Sequence, residues 1–313
     1  AWDQNAALAT ATPGVSRVEA VALTWLNSLF GLPPSTQGAF VTGATMANFT
    51  ALAAARHDVL ARAGWAVEAD GLFGAPPITV LVGEEAHPTL IKSLGLLGRG
   101  RKRVVRVPVD GQGRMRADRL PRIAGPTILC LQAGNLNTGA FDPLAGLCAA
   151  AHEEGAWCHV DGAFGLWARA SERLAPLAAG IELADSWATD AHKWLNVPYD
   201  SGLAFVAHPE AHLAAMAPPH AAYLQYDDEK RDEVAWAPEF SRRARGFTIY
   251  AALRTLGRSG VRDMVERCCA LARRMADGLR GTEGVEILNE VVLNQVLVRF
   301  GDHDEQTRDV ITR

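Results

Sequence analysis

Apolar and polar positions alternate in blocks along most of the chain. Residues 18–30 repeat apolar side chains at helical spacing, and Gly31-Leu32-Pro33-Pro34 stops the run. Residues 38–41 read as a short strand, and Thr42-Gly43-Ala44-Thr45 opens an Ala- and Leu-rich helix from 46 to about 64. The apolar runs at 78–82, 104–107, 127–132, 157–160 and 202–206 predict further strands, and 185–189 leads to Lys193. Helical stretches at 87–97 and 143–154 separate them, the second with Pro143 in its first turn. Strands alternating with helices predict a mainly parallel sheet covered on both faces. Functional groups of such a sheet gather at the carboxyl ends of its strands, where Asp161 and the Thr42 loop both fall.

After Val206 the pattern changes. Residues 220–237 mix aromatics, acids and a basic pair with little periodicity, which predicts a long surface loop of the kind that serves as a lid. Residues 247–256 and 261–279 read as helices, and 285–288 and 295–300 as strands of a second unit. The expected division is a large domain over 1–250, with the lid-like loop at about 217–240, and a partial small C-terminal α+β domain over 251–313. No internal repeat or low-complexity tract is visible.

Composition narrows the function classes. The 313 residues are 49% hydrophobic and 21% charged, an ordinary globular balance. A net charge of −4 gives no electrostatic case for nucleic acid or an anionic membrane. Gly, Pro or charge breaks every apolar stretch well before ~18 residues, so no spanning helix is expected. No basic segment leads into an apolar run at the start, so no export signal is expected. The five cysteines, Cys130, Cys148, Cys158, Cys268 and Cys269, are an odd set that suits free thiols in a reducing, cytoplasmic compartment. The basic run Arg99 to Arg103 joins a helix to a strand and reads as a solvated turn. Cys148, His152, Cys158 and His159 form no CxxC or HxxxH pattern, so no metal site is expected, and no strand is followed by GxGxxG.

Two segments carry the chemistry. Asp161 closes an apolar strand in Cys158-His159-Val160-Asp161-Gly162-Ala163-Phe164-Gly165, and Lys193 follows in Ser186-Trp187-Ala188-Thr189-Asp190-Ala191-His192-Lys193-Trp194. A lysine amine that can form a Schiff base with an aldehyde, and a carboxylate that keeps a pyridine nitrogen protonated, are what a pyridoxal 5'-phosphate (PLP) enzyme needs. These blocks, in this order from about Ala7 onward, resemble the group II PLP-dependent amino-acid decarboxylases, which include the aromatic-L-amino-acid and glutamate decarboxylases.

The resemblance implies an aspartate aminotransferase-like α/β fold (fold type I), usually a homodimer, and a set of roles. Lys193 would be the Schiff-base lysine and His192 its family neighbour. Asp161 would pair with the pyridine nitrogen, with Ala163 beside the cofactor. Gly43, Ala44 and Thr45 would cradle the phosphate at a helix start, and His87 would stack on the ring. Tyr223, placed only by spacing, would be the lid tyrosine that reprotonates Cα, with Tyr226 its competitor and His192 a second proton source. Asp227 to Asp232 would supply a weakly packed lid. Arg242 or Arg245 would hold a carboxylate or close the dimer. The chain departs from the family pattern at Met46, at Gly162, at Asn135 and Leu136, where hydroxyl residues are usual, and at Asp190, where many relatives have Asn. Asn135 and Asp190 are still expected near the cofactor. The implied reaction is decarboxylation of an L-amino acid, aromatic by preference, to an amine. The departures leave open other Cα chemistry, transamination or aldehyde formation, and the expected missing ends leave open a non-catalytic remnant. The chain is expected to lack the family's usual N-terminal segment and the end of its small domain.

Overall fold

The computed structural model describes residues 5–219 and 230–313. In chain order the helices are α1 Pro13–Phe30, α2 Ala44–Ala61, α3 Val67–Asp70, α4 Pro88–Leu96, α5 Leu144–Glu153, α6 Ala191–Trp194, α7 Pro209–Met216, α8 Gly246–Leu279 and α9 Asp304–Thr312. The strands are β1 Gln37–Val41, β2 Thr79–Gly83, β3 Val105–Val107, β4 Thr127–Gln132, β5 Trp157–Asp161, β6 Ser186–Asp190, β7 Gly202–Val206, β8 Val285–Ile287 and β9 Val298–Phe300.

Strands β1 to β7 form one sheet in the order β1-β7-β6-β5-β4-β2-β3. Strand β7 runs antiparallel to both its neighbours, and the other pairings are parallel. Strands β4 to β7 are buried almost throughout because both faces of the sheet are covered. On one face α2 packs its alanines against Val80, Ile128 and Trp157. On the other, α1, α5 and α8 enclose a larger core with Phe30, Trp167, Trp187 and Phe205. The small alanine side chains of α2 let this helix lie close to β5, β6 and β7, which it contacts directly.

The expected mainly parallel, two-faced sheet is present, and most elements lie within a few residues of their predicted places. Helix α8 is one difference, since the two expected helices join across a kink at Gly257, whose φ of 62° is a left-handed geometry that glycine tolerates. The boundary expected at 250 falls inside α8, whose Val261, Val265 and Cys269 belong to the large core. The two-stranded β8–β9 sheet and α9 make the smaller unit.

The expected lid is described only in part. Tyr223 and Tyr226 lie outside the described residues. Residues 230–237 are no weakly packed loop. Glu233 and Val234 are buried, the Ala9 N–H donates to Asp232 at 2.7 Å, and Arg231 lies 4.1 Å over the Trp236 ring. Arg242 is not a surface group either. It is buried, paired with Glu19 at 2.7 Å, and donates to the carbonyls of Ala6 and Phe40. Removing one member of such a pair strands a charge in the core. Arg101 to Arg103 form an exposed turn, as the sequence implied.

At the amino ends of β5 and β6, away from the carboxyl ends where function was expected, Asp185 accepts from His152 and His208, each at 2.9 Å, and from the Cys158 N–H at 2.7 Å. Cys158, Asp185 and His152 offer ligand atoms within 4.8 Å of one another, a grouping that sequence spacing hid. The bonds to Asp185 raise both imidazoles above their ordinary value. Burial pushes the Asp185 carboxyl up, but its bonds to the two histidines outweigh this and hold it below the usual range. The histidine contribution is therefore full below ~6.5, their unfolded value, and is lost as pH rises through the raised folded values. The Asp185 contribution is lost instead as pH falls through its lowered value. Urea denaturation should show stability declining as pH rises from about 6.5 through the raised folded values, by no more than about 1 kcal/mol, a small figure because both imidazoles are partly exposed and screened. Asp185→Asn should flatten that slope, and a wild-type profile already flat over this range would sink the assignment.

Candidate active site

Strands β5 and β6 run parallel with Asp161 opposite Ala188, so their carboxyl ends point the same way. Asp161 ends β5, Asp190 ends β6, and Lys193 follows one turn later on α6. Strand β1 delivers Thr42 and Gly43 to the start of α2 across the gap. That approach is very close. A Cβ on Gly202 of β7 would lie 2.4 Å from the Gly43 Cα, so only glycine lets the helix start settle against the sheet.

These ends open on a cavity of ≈ 300 Å³. Gly43, Ala44, Thr45, His87, Asp161, Ala163, Asp190, His192 and Lys193 all line it. The first N–H groups of α2 have no intrahelical partner, and the dipole there is positive, so its start could hold an anion. Ser93 of α4 anchors this turn by donating to the Thr45 carbonyl at 2.7 Å.

Asp161 is 5% exposed. Its Oδ1 accepts from the Ala163 N–H and its Oδ2 from Asn48, both at 3.2 Å. Burial raises its pKa, against the bond from Asn48 and the charge of Lys193. A buried carboxylate in that condition is suited to a cationic partner. The Lys193 ammonium is 3.5 Å from Asp190 Oδ2 and lies 5.5 Å over the Phe164 ring. His192 Nε2 is 3.2 Å from the same Asp190 oxygen, and its ring stacks on Tyr199 at 4.3 Å. The other Asp190 oxygen is buried and accepts no hydrogen bond. Asp190 therefore does not turn away from the phosphate cradle; it faces Gly43. His87 is both a helix cap and a cavity wall. Its Nδ1 contacts the Thr89 hydroxyl at 2.7 Å, and its ring remains in the lining.

Asn135 is placed differently from its expected role. It is buried, and its amide donates to Glu85 and Gln132 while its oxygen accepts from the Asn137 and Thr138 N–H groups. Those bonds consume it in its own loop, and Gln132, Gly134 and Leu136 face the cavity instead. Arg245 donates to Asp200 at 2.7 Å and Arg243 pairs with the same acid at 3.0 Å, so these arginines brace the segment after Lys193. Phe164, Tyr199 and Thr89 also line the cavity without having been singled out. Phe164 stood in the quoted Asp161 block, but nothing in its type announced a role.

With the geometry in view, comparison with known proteins places the chain. The model of the pyridoxal-dependent decarboxylase conserved domain matches residues 3–300, and the chain belongs to that family. It is 27% identical over 310 residues to an aromatic-L-amino-acid decarboxylase of Bacillus atrophaeus, covering 95% of this chain and 62% of that protein. It is 32% identical over 279 residues to an aspartate 1-decarboxylase of Aliivibrio fischeri, covering 84% of this chain and 50% of that protein. In fold it resembles mouse CSAD, with a TM-score of 0.87 at 24% identity over 95% of this chain and 63% of the other. The chain thus spans about half to three fifths of the relatives it matches.

The cavity fits the cofactor in that family name. It offers an amine, a buried carboxylate suited to a cation, a flat imidazole and a helix start. Asp190 is the one element set against a phosphate. Asp190→Asn should tighten binding of pyridoxal phosphate several-fold, because it removes an anion that faces the cradle. Equilibrium titration with pyridoxal phosphate measures this, and unchanged or weaker binding would refute it.

Proposed function

We propose that this chain is the cofactor-binding part of an amino-acid α-decarboxylase. The observation that carries this is the convergence of Lys193, Asp161 and the α2 start on one ≈ 300 Å³ cavity. Lys193 would hold the aldehyde end of the cofactor, Asp161 its ring nitrogen, Gly43, Ala44 and Thr45 its phosphate, and His87 the outer face of the ring. Bound pyridoxal phosphate supplies an electron sink for the substrate Cα.

The protein's own groups do the remaining work. Asp161, a buried carboxylate suited to a cationic partner, would favour a protonated ring nitrogen once the cofactor is bound. The Lys193 amine lies between the Phe164 ring and the Asp190 carboxylate, and from there it would reach the cofactor aldehyde. His192 stands within reach of the same space as a proton carrier. Tyr223, the expected proton donor to Cα, lies outside the described residues and keeps that role as part of this proposal.

An aromatic substrate suits the lining best. Phe164, Tyr199 and Leu136 supply apolar surface, and among the described lining residues there is no arginine to receive a second carboxylate. Tyr199 is 75% exposed and Leu136 54%, an apolar rim that a second copy of the chain would cover in a homodimer. Leu136 in the lining also favours a second reading, in which a lost hydroxyl diverts the reaction to an aldehyde or keto acid.

Protein mixed with pyridoxal phosphate should develop an absorbance band near ~420 nm that Lys193→Ala abolishes. The absence of that band in the wild type would end the cofactor reading. In a panel of amino acids, CO₂ release with a matching amine should be fastest for aromatic substrates. Release confined to acidic ones would overturn the substrate assignment, and an aldehyde or keto acid as product would support the second reading.

A further inference from the structure

One polar feature of the large domain is not used by the site as described above. Trp157, His159 and Asp161 alternate along β5, so all three side chains face α2, while Cys158 and Val160 face the opposite core. His159 and Asn48 are each 0% exposed, beside a layer built mostly of Ala, Val, Ile and Leu. An imidazole and an amide in such a place carry a desolvation penalty unless every bond is met.

Here the bonds form a line. Trp157 Nε1 lies 2.9 Å from Ser186 Oγ, which lies 2.9 Å from His159 Nδ1. His159 Nε2 lies 2.8 Å from Asn48 Oδ1, and Asn48 Nδ2 lies 3.2 Å from Asp161 Oδ2. With Asp161 ionised, one assignment satisfies every bond. The Asn48 amide donates to the carboxylate, so the Asn48 carbonyl accepts from His159 Nε2, and His159 Nδ1 accepts from the Ser186 hydroxyl, which itself accepts from the Trp157 indole N–H. Flipping Asn48 would set its oxygen against the carboxylate. Every hydrogen in the line therefore points towards Asp161. Burial lowers the pKa of His159 to about 3, so the ring stays neutral and keeps this single tautomer.

We propose that His159, acting through Asn48, is a positioning residue that orients the Asp161 carboxylate and holds it ionised towards the pyridine nitrogen. The register supports a built device. His159 lies directly opposite Ser186 across the β5–β6 pairing, and Asn48 sits one turn into α2, the helix whose start lines the cavity. The same helix thereby serves the cofactor at both ends, its first turn at the phosphate and Asn48 behind the ring partner. Two neutral hydrogen bonds in series polarise each other, so the bond reaching the carboxylate is strengthened by the one behind it.

This inference rests on the reading of Asp161 as the ring-nitrogen partner, and the test separates the two. Dissociation constants are measured for pyridoxal phosphate and for its 1-deaza analogue, in which a C–H replaces the ring nitrogen. The wild type, His159→Leu and His159→Gln are compared, with circular dichroism to verify folding. His159→Leu should weaken pyridoxal phosphate roughly five- to tenfold and leave the deaza analogue unchanged. His159→Gln, whose amide can still donate to Asn48, should recover most of the loss. Equal losses for both ligands, or no loss for either, would overturn the positioning role. A wild type that binds both ligands equally would overturn the Asp161 reading itself and this inference with it. If His159→Leu does not fold, Ser186→Ala carries the same comparison with a smaller expected effect in the same direction.

Discussion

The carboxylate of Asp161 lies where water hardly reaches, and its charge has to be answered from within the protein. Burial favours the neutral acid, while the Asn48 amide, the Ala163 N–H and the nearby Lys193 cation favour the anion. Much of the surrounding architecture follows from that contest. Parallel β5 and β6 bring the acid and the lysine segment to the same edge. Helix α2, with its small side chains, comes near enough to the sheet to reach Asp161 from behind. The antiparallel β7 supplies Gly202, on which the start of α2 settles.

Charge also organises the periphery, and there the outcome differs. The Arg242–Glu19 pair is sealed in the core, whereas Asp200 is only partly buried and is shared by Arg243 and Arg245. The sealed pair ties α1 to the residues before α8. The shared acid holds the segment after Lys193 in place and with it the Tyr199 ring against His192. One cluster of arginines therefore splits into a packing element and a brace for the cavity mouth.

Much of the site could be read from residue order. The strands were legible because buried parallel strands are unbroken apolar runs, and Asp161, Lys193, His87 and the Gly43 turn stood at strand ends or helix starts. Asn135 was not legible, because whether an amide faces a cavity or its own loop depends on which turn the backbone takes after β4. Asn48 lies three residues past the Thr42-Gly43-Ala44-Thr45 turn, yet its partner is 113 positions away and no spacing rule links them. The grouping of His152 and His208 around Asp185 was hidden for the same reason. Residues 230–237 look like a solvated loop by composition, and they are buried because the first residues of the described chain cover them.

The first strand of the sheet pairs with one partner only, the antiparallel β7, more than half the chain further on. The start of α2 likewise rests on Gly202 of that strand. During synthesis from the amino end, α1, β1 and α2 emerge long before the surface on which they finally pack. Such non-local pairing is slow to form and leaves apolar helix faces exposed while it waits. The helix start that lines the cavity, although encoded near the beginning of this sequence, thus settles only once β7 has been made.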